Sequence, residues 1–119
     1  MSTSLHTLTQ RSDFIRLRRG RKQVTPYFVL RMLPHDLTPP ENSVVRVGYT
    51  VTTKCGSAVV RNRIKRRLRA LVRELFPMSA LPGHDYVLIA LDRAQPSAAV
   101  VPYAELRKVL INALQRIHT

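Results

Sequence analysis

The segment that follows Gly56 constrains the fold most, because its pattern is helical and its composition is strongly basic. At about 100° per residue, its apolar side chains share an arc of roughly 80°. They are Val60, Ile64, Leu68, Leu71 and Leu75. So narrow a stripe predicts a helix that docks on a core, and Pro77 predicts the end of that helix at Phe76.

Cations flank this stripe on both sides. Arg61, Lys65 and Arg69 form a row at i, i+4 and i+8 along one border, and Arg63 and Arg67 lie along the other. Glu74 is the only acid in the helix, so repulsion of about a few tenths of a kcal/mol per like-charged pair is almost unrelieved. This arrangement favours a polyanion-binding helix over a solvated structural one, and arginine favours forked bonds to phosphates.

The whole chain, like this helix, has a large excess of basic over acidic residues. Its 119 residues include 20 Lys and Arg against seven Asp and Glu, a net charge of +13. Such a surface suits RNA, although a membrane surface is also anionic. The single cysteine, Cys55, excludes an internal disulfide and suits a reducing compartment. With no apolar run long enough to span a membrane and no secretory signal, we expect a cytoplasmic protein.

The element pattern predicts one α+β domain over residues 12–119, after a flexible segment over residues 1–11. The predicted elements are a helix at 12–19, strands at 27–33 and 44–52 in a hairpin-like return, the basic helix, a strand at 85–91 and a helix from Pro102 to about Ile117. Residues 22–27 leave room for another short strand. The continuous apolar run at 85–91 indicates a strand inside a small mixed sheet. The order is therefore α-β-β-(β)-α-β-α.

Catalytic groups are absent from the sequence pattern. The four histidines are scattered and have no metal-ligand spacing: His6, His35, His84 and His118. The acids form no close pair, and no glycine-rich phosphate loop appears. We therefore expect no catalytic residue and no metal ligand, and predict a protein that contributes charge and shape.

Two motifs carry a resemblance to a known family. They are Arg46-Val47-Gly48-Tyr49-Thr50-Val51 and the run Lys54-x-Gly56-x-Ala58-Val59-Val60-Arg61-Asn62-Arg63-Ile64-Lys65-Arg66-x-Leu68-Arg69. Together they resemble the signature of the bacterial ribonuclease P protein component. The resemblance implies a subunit of a ribonucleoprotein endoribonuclease, whose RNA subunit uses Mg²⁺ to remove the 5′ leader of precursor tRNA. The expected partners are that RNA and precursor tRNA, with no membrane and no obligate protein partner.

The resemblance also implies a fold similar to the second domain of a small-subunit ribosomal protein. It implies a left-handed crossover through the basic helix, whereas parallel βαβ units are right-handed in about 98% of cases.

Two sets of binding residues follow. We expect Phe14, Arg18, Arg31, Tyr49, Arg61, Asn62, Lys65 and Arg69 to bind the leader in a central cleft. We expect Lys54, Arg63, Arg66 and Arg67 to bind phosphates of the catalytic RNA. Phe14 matches a cleft aromatic of the family, or else is a core residue; Asn62 either binds a base edge or caps the backbone locally. Arg31 stands where the family has an aromatic, so leader binding here should depend more on charge than on stacking.

Two other functions fit the charge. One is a ribosomal or general RNA-binding protein without a role in cleavage. The other is a membrane-active amphipathic helix, which the narrow apolar stripe disfavours.

Overall fold

The computed structural model describes residues 4–119, and within that range the chain forms a five-stranded mixed sheet with three α-helices. The strands are β1 (Leu5–Thr7), β2 (Arg21–Val24), β3 (Phe28–Pro34), β4 (Val45–Thr50) and β5 (His84–Ala90). The helices are α1 (Arg11–Arg16, continued by a 3-10 turn, Leu17–Arg19), α2 (Ala58–Ser79) and α3 (Tyr103–Ile117). The predicted α+β class and the optional extra strand, β2, are confirmed.

The order of strands across the sheet is β1-β4-β5-β3-β2. β5 pairs parallel to β4 and antiparallel to β3, so its predicted place inside the sheet is confirmed. The prediction that β3 and β4 form a hairpin-like pair is wrong, because β5 lies between them in the sheet. α2 connects the parallel neighbours β4 and β5 as a crossover, whose left-handed sense stays a prediction.

The two faces of the sheet bury different cores. On one face, side chains such as Phe28, Val47 and Leu88 pack under α2 and α3 in the main core. On the other face, Leu8, Leu17 and Val87 form a smaller cluster beneath α1. Within residues 4–119 this second face is covered by one short helix, so part of the sheet there remains open.

α2 begins shortly after Gly56 and ends later than predicted. Gly56 has φ 139°, a left-handed conformation that favours glycine, and the Ser57 hydroxyl accepts from the Val60 N–H at 3.3 Å. The predicted stop at Phe76 is wrong, since the helix continues through Pro77 to Ser79. Leu75 and Phe76 are buried, so packing holds this last turn although proline lacks an N–H.

The amino-terminal prediction needs a correction too. Leu5–Thr7, predicted to be part of a flexible segment, forms strand β1 and pairs parallel to Val45–Val47. Residues 1–3 of that predicted segment lie outside the described residues. The helix predicted at residues 12–19 begins one residue earlier, since α1 starts at Arg11 after Gln10. Across residues 4–119, no helix is long and apolar enough to cross a bilayer.

Candidate nucleic-acid interface

A buried ion cluster fixes α1 on the sheet. Asp85 of β5 is fully buried, and both of its oxygens accept from the Arg46 guanidinium, at 2.7 Å each. Arg16 of α1 donates to the same carboxylate, and Asp13 lies 3.5 Å from Arg46. The bond to Asp85 is the main reason why the pKa of Arg46 is raised. The cluster ties α1, β4 and β5 together and so fixes the position of Phe14.

The ring of Phe14 packs directly on Gly48 of β4. A Cβ at position 48 would lie 2.5 Å from the ring Cζ and 3.2 Å from the Leu8 Cβ. Gly48 is therefore required for close approach of the aromatic ring to the sheet. Phe14 is only partly buried, so it also presents surface to the open side of the sheet.

Two connected grooves lie beside this ring. The inner groove, of about 150 Å³, is lined by Phe14, Arg18, Arg31, Thr50, Val87 and Ile89. The central groove, of about 490 Å³, is lined by Thr9, Arg11, Phe14, Ile15, Arg18, Tyr49, Thr50, Val51 and Lys65. They share Phe14, Arg18 and Thr50, and thus run from the open face of the sheet to the amino-terminal half of α2.

A third groove adjoins them at Tyr49. The outer groove, of about 320 Å³, is lined by Leu5, His6, Thr7, Val47, Tyr49, Arg69 and Arg73. The Arg69 guanidinium lies 5.6 Å from the centre of the Tyr49 ring, within the range of a cation–π contact. Burial raises the pKa of Tyr49 to about 12, so the phenol is neutral at physiological pH.

The walls of the three grooves are cationic. Arginine or lysine lines each of them, and no Asp or Glu of the described chain lines any. Within residues 4–119, carboxylates pair with Arg16, Arg46 and Arg107 but with no cation of α2. Glu74, the acid of α2, pairs instead with Arg107 of α3 at 2.6 Å. The cations of α2 therefore have no countercharge within residues 4–119.

Six of the eight residues predicted to bind the leader line these grooves: Phe14, Arg18, Arg31, Tyr49, Lys65 and Arg69. Arg61 and Asn62 line none of them. The Arg61 Nε donates to the Gly56 carbonyl at 3.3 Å, and Asn62 is exposed. Arg31 donates to the Arg18 carbonyl at 3.2 Å, so this bond joins the two groove arginines.

The four residues predicted to bind the catalytic RNA divide differently. Lys54, Arg63 and Arg66 are exposed. Arg67 is half-buried and donates to the carbonyl oxygens of Ala98, at 2.6 Å, and Val101. Its guanidinium also lies 5.8 Å from the Tyr103 ring centre. Desolvation by burial, then the nearby charge of Arg63, lowers the pKa of Arg67. These contacts tie Arg67 to the loop before α3.

Arg73 and Asp85 are important here but are not among the residues predicted from the sequence. Arg73 lies four residues after Arg69 and extends the row of Arg61, Lys65 and Arg69, so the same spacing could have found it. Asp85 follows a Pro-Gly turn, where aspartate is expected for local reasons. Its partners, Arg16 and Arg46, are 69 and 39 residues away, and no local pattern reveals them.

Metal-binding side chains are not grouped in residues 4–119, where no three of His, Cys, Asp and Glu could hold an ion together. Three histidines contact the protein instead. His35 contacts the Val44 carbonyl at 2.7 Å, His84 contacts the Pro82 carbonyl at 2.9 Å, and His118 contacts the Tyr86 hydroxyl at 2.7 Å.

Comparison with known proteins gives a consistent result. The family model described as Ribonuclease P matches residues 3–118. The ribonuclease P protein component of Gluconacetobacter diazotrophicus is 42% identical over 95% of this chain and 95% of its own length. That of Paramagnetospirillum magneticum is 37% identical over 98% and 86%. The solved RNase P protein from Thermotoga maritima superposes with a TM-score of 0.77 at 27% identity, covering 93% of this chain and 96% of its own.

Proposed function

The chain belongs to the ribonuclease P protein family, and from this premise we propose that its grooves hold the 5′ leader of precursor tRNA while the opposite side of α2 binds the catalytic RNA. As a protein component it works in a ribonucleoprotein endoribonuclease, whose partners are the ribonuclease P RNA and precursor tRNA. A general RNA-binding role without cleavage is not favoured, because the matched relatives are ribonuclease P protein components over almost the whole chain.

The observation that carries the proposal is the set of cationic grooves around Phe14. Single-stranded RNA is bound by cations that follow its phosphates and by side-chain faces on which its bases stack. The inner and central grooves provide Arg18, Arg31 and Lys65 for phosphates, with Phe14 and Tyr49 for bases. Their apolar walls, which include isoleucine side chains, give unpaired bases a surface to cover.

We assign the binding of the catalytic RNA to the exposed cations Lys54, Arg63 and Arg66. They lie on or just before α2, outside the three grooves, so two RNAs can contact one helix from different sides. Asn62 is placed with this group because it is exposed beside Arg63. We assign Arg67 the role of stabilising the loop before α3, since two carbonyl groups of that loop already accept from its guanidinium.

The protein's contribution to the reaction is electrostatic. The holoenzyme of this family is Mg²⁺-dependent, and we assign the ion to the RNA because the described donor groups of this chain do not cluster. Precursor and catalytic RNA repel one another, and cations placed between them reduce that repulsion and the Mg²⁺ concentration needed. We infer the cytoplasm as the location, where bacterial precursor tRNA is made.

Reconstitution tests this function. The protein is combined with its cognate catalytic RNA and precursor tRNA at low Mg²⁺, and leader removal is compared with that by RNA alone. We expect faster cleavage with protein, and a loss of most of that gain in an Arg18→Gln, Lys65→Gln double variant. The control is Lys108→Gln on the outer side of α3. No gain from the wild-type protein would leave only general RNA binding.

A further inference from the structure

We propose that the leader path does not end in the central groove. It continues across the uncovered edge of β4 at residues 48–50 into the outer groove, where Arg69 and Arg73 bind further leader phosphates. This inference rests on the proposed function and extends it by a second binding region. Arg73 thereby becomes a leader-binding residue.

The route is continuous because Tyr49 lines both the central and the outer groove. β1 pairs with Val45–Val47 and leaves β4 after that point, so no strand within residues 4–119 covers the edge of β4 at residues 48–50. Gly48 and Thr50 face α1, whereas Val47 and Tyr49 alternate toward α2. A strand of RNA can thus pass from one face of the sheet to the other across Tyr49.

The outer groove has the chemistry of a phosphate site. Arg69 and Arg73 are exposed and four residues apart, so they project from one side of α2 about one turn apart. Neither pairs with a carboxylate of residues 4–119, and no acid from that range lines the groove. The Arg69 guanidinium lies over the Tyr49 ring, which orients it toward the junction of the two grooves.

The strand side of the outer groove is formed by the edge strand β1. The Leu8 N–H and the Ser4 carbonyl bond to β4, at 2.8 and 2.9 Å. Because bonding alternates along an edge strand, the N–H groups of Leu5 and Thr7 point away from the sheet. Their carbonyl groups point the same way, so this edge offers donors and acceptors alternately. The preference of the outer groove for an anion therefore comes from Arg69 and Arg73 on its helix side.

The experiment compares two substitutions at opposite ends of the path, Arg31→Gln and Arg73→Gln, in the reconstituted holoenzyme. Affinity is measured for precursor tRNAs whose leaders are shortened stepwise from the 5′ end, and for mature tRNA. Arg93→Gln, an exposed cation outside all three grooves, is the control for loss of net charge. Thermal unfolding of each free protein checks the fold.

With a long leader, we expect Arg73→Gln to weaken binding about fivefold, the effect of one charge contact in water. The slope of log affinity against log salt should become less negative by roughly 0.7, the value for one phosphate of a single strand. Mature tRNA should bind as to wild type. The effects of Arg31→Gln and Arg73→Gln should vanish at different leader lengths, because the two residues lie at opposite ends of one path.

Three results would overturn the extension. They are an Arg73→Gln loss that persists with mature tRNA, which would place the catalytic RNA in the outer groove; equal losses for Arg73→Gln and Arg93→Gln; and no loss at any leader length. In each case an intact leader-dependent effect of Arg31→Gln would leave the proposed function standing. If Arg31→Gln also had no leader-dependent effect, the proposed function itself would fail.

Discussion

The ring of Phe14 lies against the Cα of Gly48, so closely that a Cβ at residue 48 would be 2.5 Å from the ring Cζ. This contact places an aromatic side chain of α1 at the junction of the inner and central grooves. Phe14 is therefore both a packing residue and the main stacking surface available to a leader base.

Phe14→Ala should weaken binding of leader-bearing precursor by roughly 1–3 kcal/mol, the typical value of one base–aromatic stack. Mature tRNA should bind unchanged. Binding to the reconstituted holoenzyme measures both. Equal losses for the two RNAs would mean that Phe14 acts only as a core residue.

Gly48→Ala should destabilise the protein by about 1–3 kcal/mol, because the methyl group overlaps the Phe14 ring and the ring must move. The same substitution in a Phe14→Ala background should cost much less, since the overlap is then absent. Urea unfolding of the four proteins gives the coupling. Additive losses would contradict the contact.

Asp85→Asn should lower the free energy of unfolding by about 3–5 kcal/mol, because the guanidinium groups of Arg16 and Arg46 lose their buried countercharge. Leader affinity should fall as well, since the cluster positions α1. The matched control is Glu74→Gln, whose pair with Arg107 is about 45% exposed on both sides and should cost less than about 1 kcal/mol. Similar losses in the two variants would refute the special position of Asp85.

Arg66→Gln and Arg67→Gln should impair different properties, RNA binding and fold stability respectively, although the residues are adjacent. Arg67→Gln removes bonds to the Ala98 and Val101 carbonyls and should destabilise the fold by about 1–3 kcal/mol. Arg66→Gln should keep its stability within about 0.5 kcal/mol and weaken binding of the catalytic RNA about fivefold. Unfolding curves and RNA titrations of both variants distinguish the two roles. A stable Arg67→Gln with weak RNA binding would instead make Arg67 an RNA-binding residue, as its sequence pattern predicts.

Stability should also depend on pH through two partly buried groups, His118 and Tyr86, whose side chains lie 2.7 Å apart. Burial, with the neighbouring positive charge of His84 and Arg21, lowers the pKa of His118 below 6.5. The unfolded chain therefore binds a proton first as the pH falls through 6.5, and the free energy of unfolding decreases there. Burial raises the pKa of Tyr86, like that of Tyr49, to about 12, so stability should decrease again as the pH rises above 10.

Urea unfolding between pH 5 and 11 measures this dependence. His118→Gln should flatten the decrease below pH 6.5, while the loss above pH 10 should remain. His6→Gln, which replaces an exposed histidine of β1, is the matched control. An acid limb that is identical in His118→Gln and wild type would exclude His118 as its source.

Local patterns in the sequence predict much of this molecule. The apolar stripe of α2 gives its docked face, since Ile64, Leu68, Leu71 and Leu75 are buried. The continuous apolar run of β5 predicts its position inside the sheet. Both signals depend on periodicity within one element, which sequence shows directly.

Features that depend on distant partners could not be predicted in this way. β1 has three residues and is recognised only through its pairing with β4, about 40 residues away. The insertion of β5 between β3 and β4 likewise depends on the whole sheet. Arg67 has the pattern of a phosphate-binding cation, and only the position of the loop before α3 shows that carbonyl groups accept from it. In each case a long-range contact decides the structure where the local pattern points elsewhere.

The use of Asp85 inside the fold has a kinetic consequence for encounter with RNA. Asp85 beneath α1 and Asp13 on α1 each pair with both Arg16 and Arg46, so their negative charge is balanced locally. An approaching strand therefore meets Arg and Lys side chains, and no Asp or Glu of residues 4–119, along the path from the inner to the outer groove. Capture should be fast and salt-sensitive even before any base finds its stacking partner.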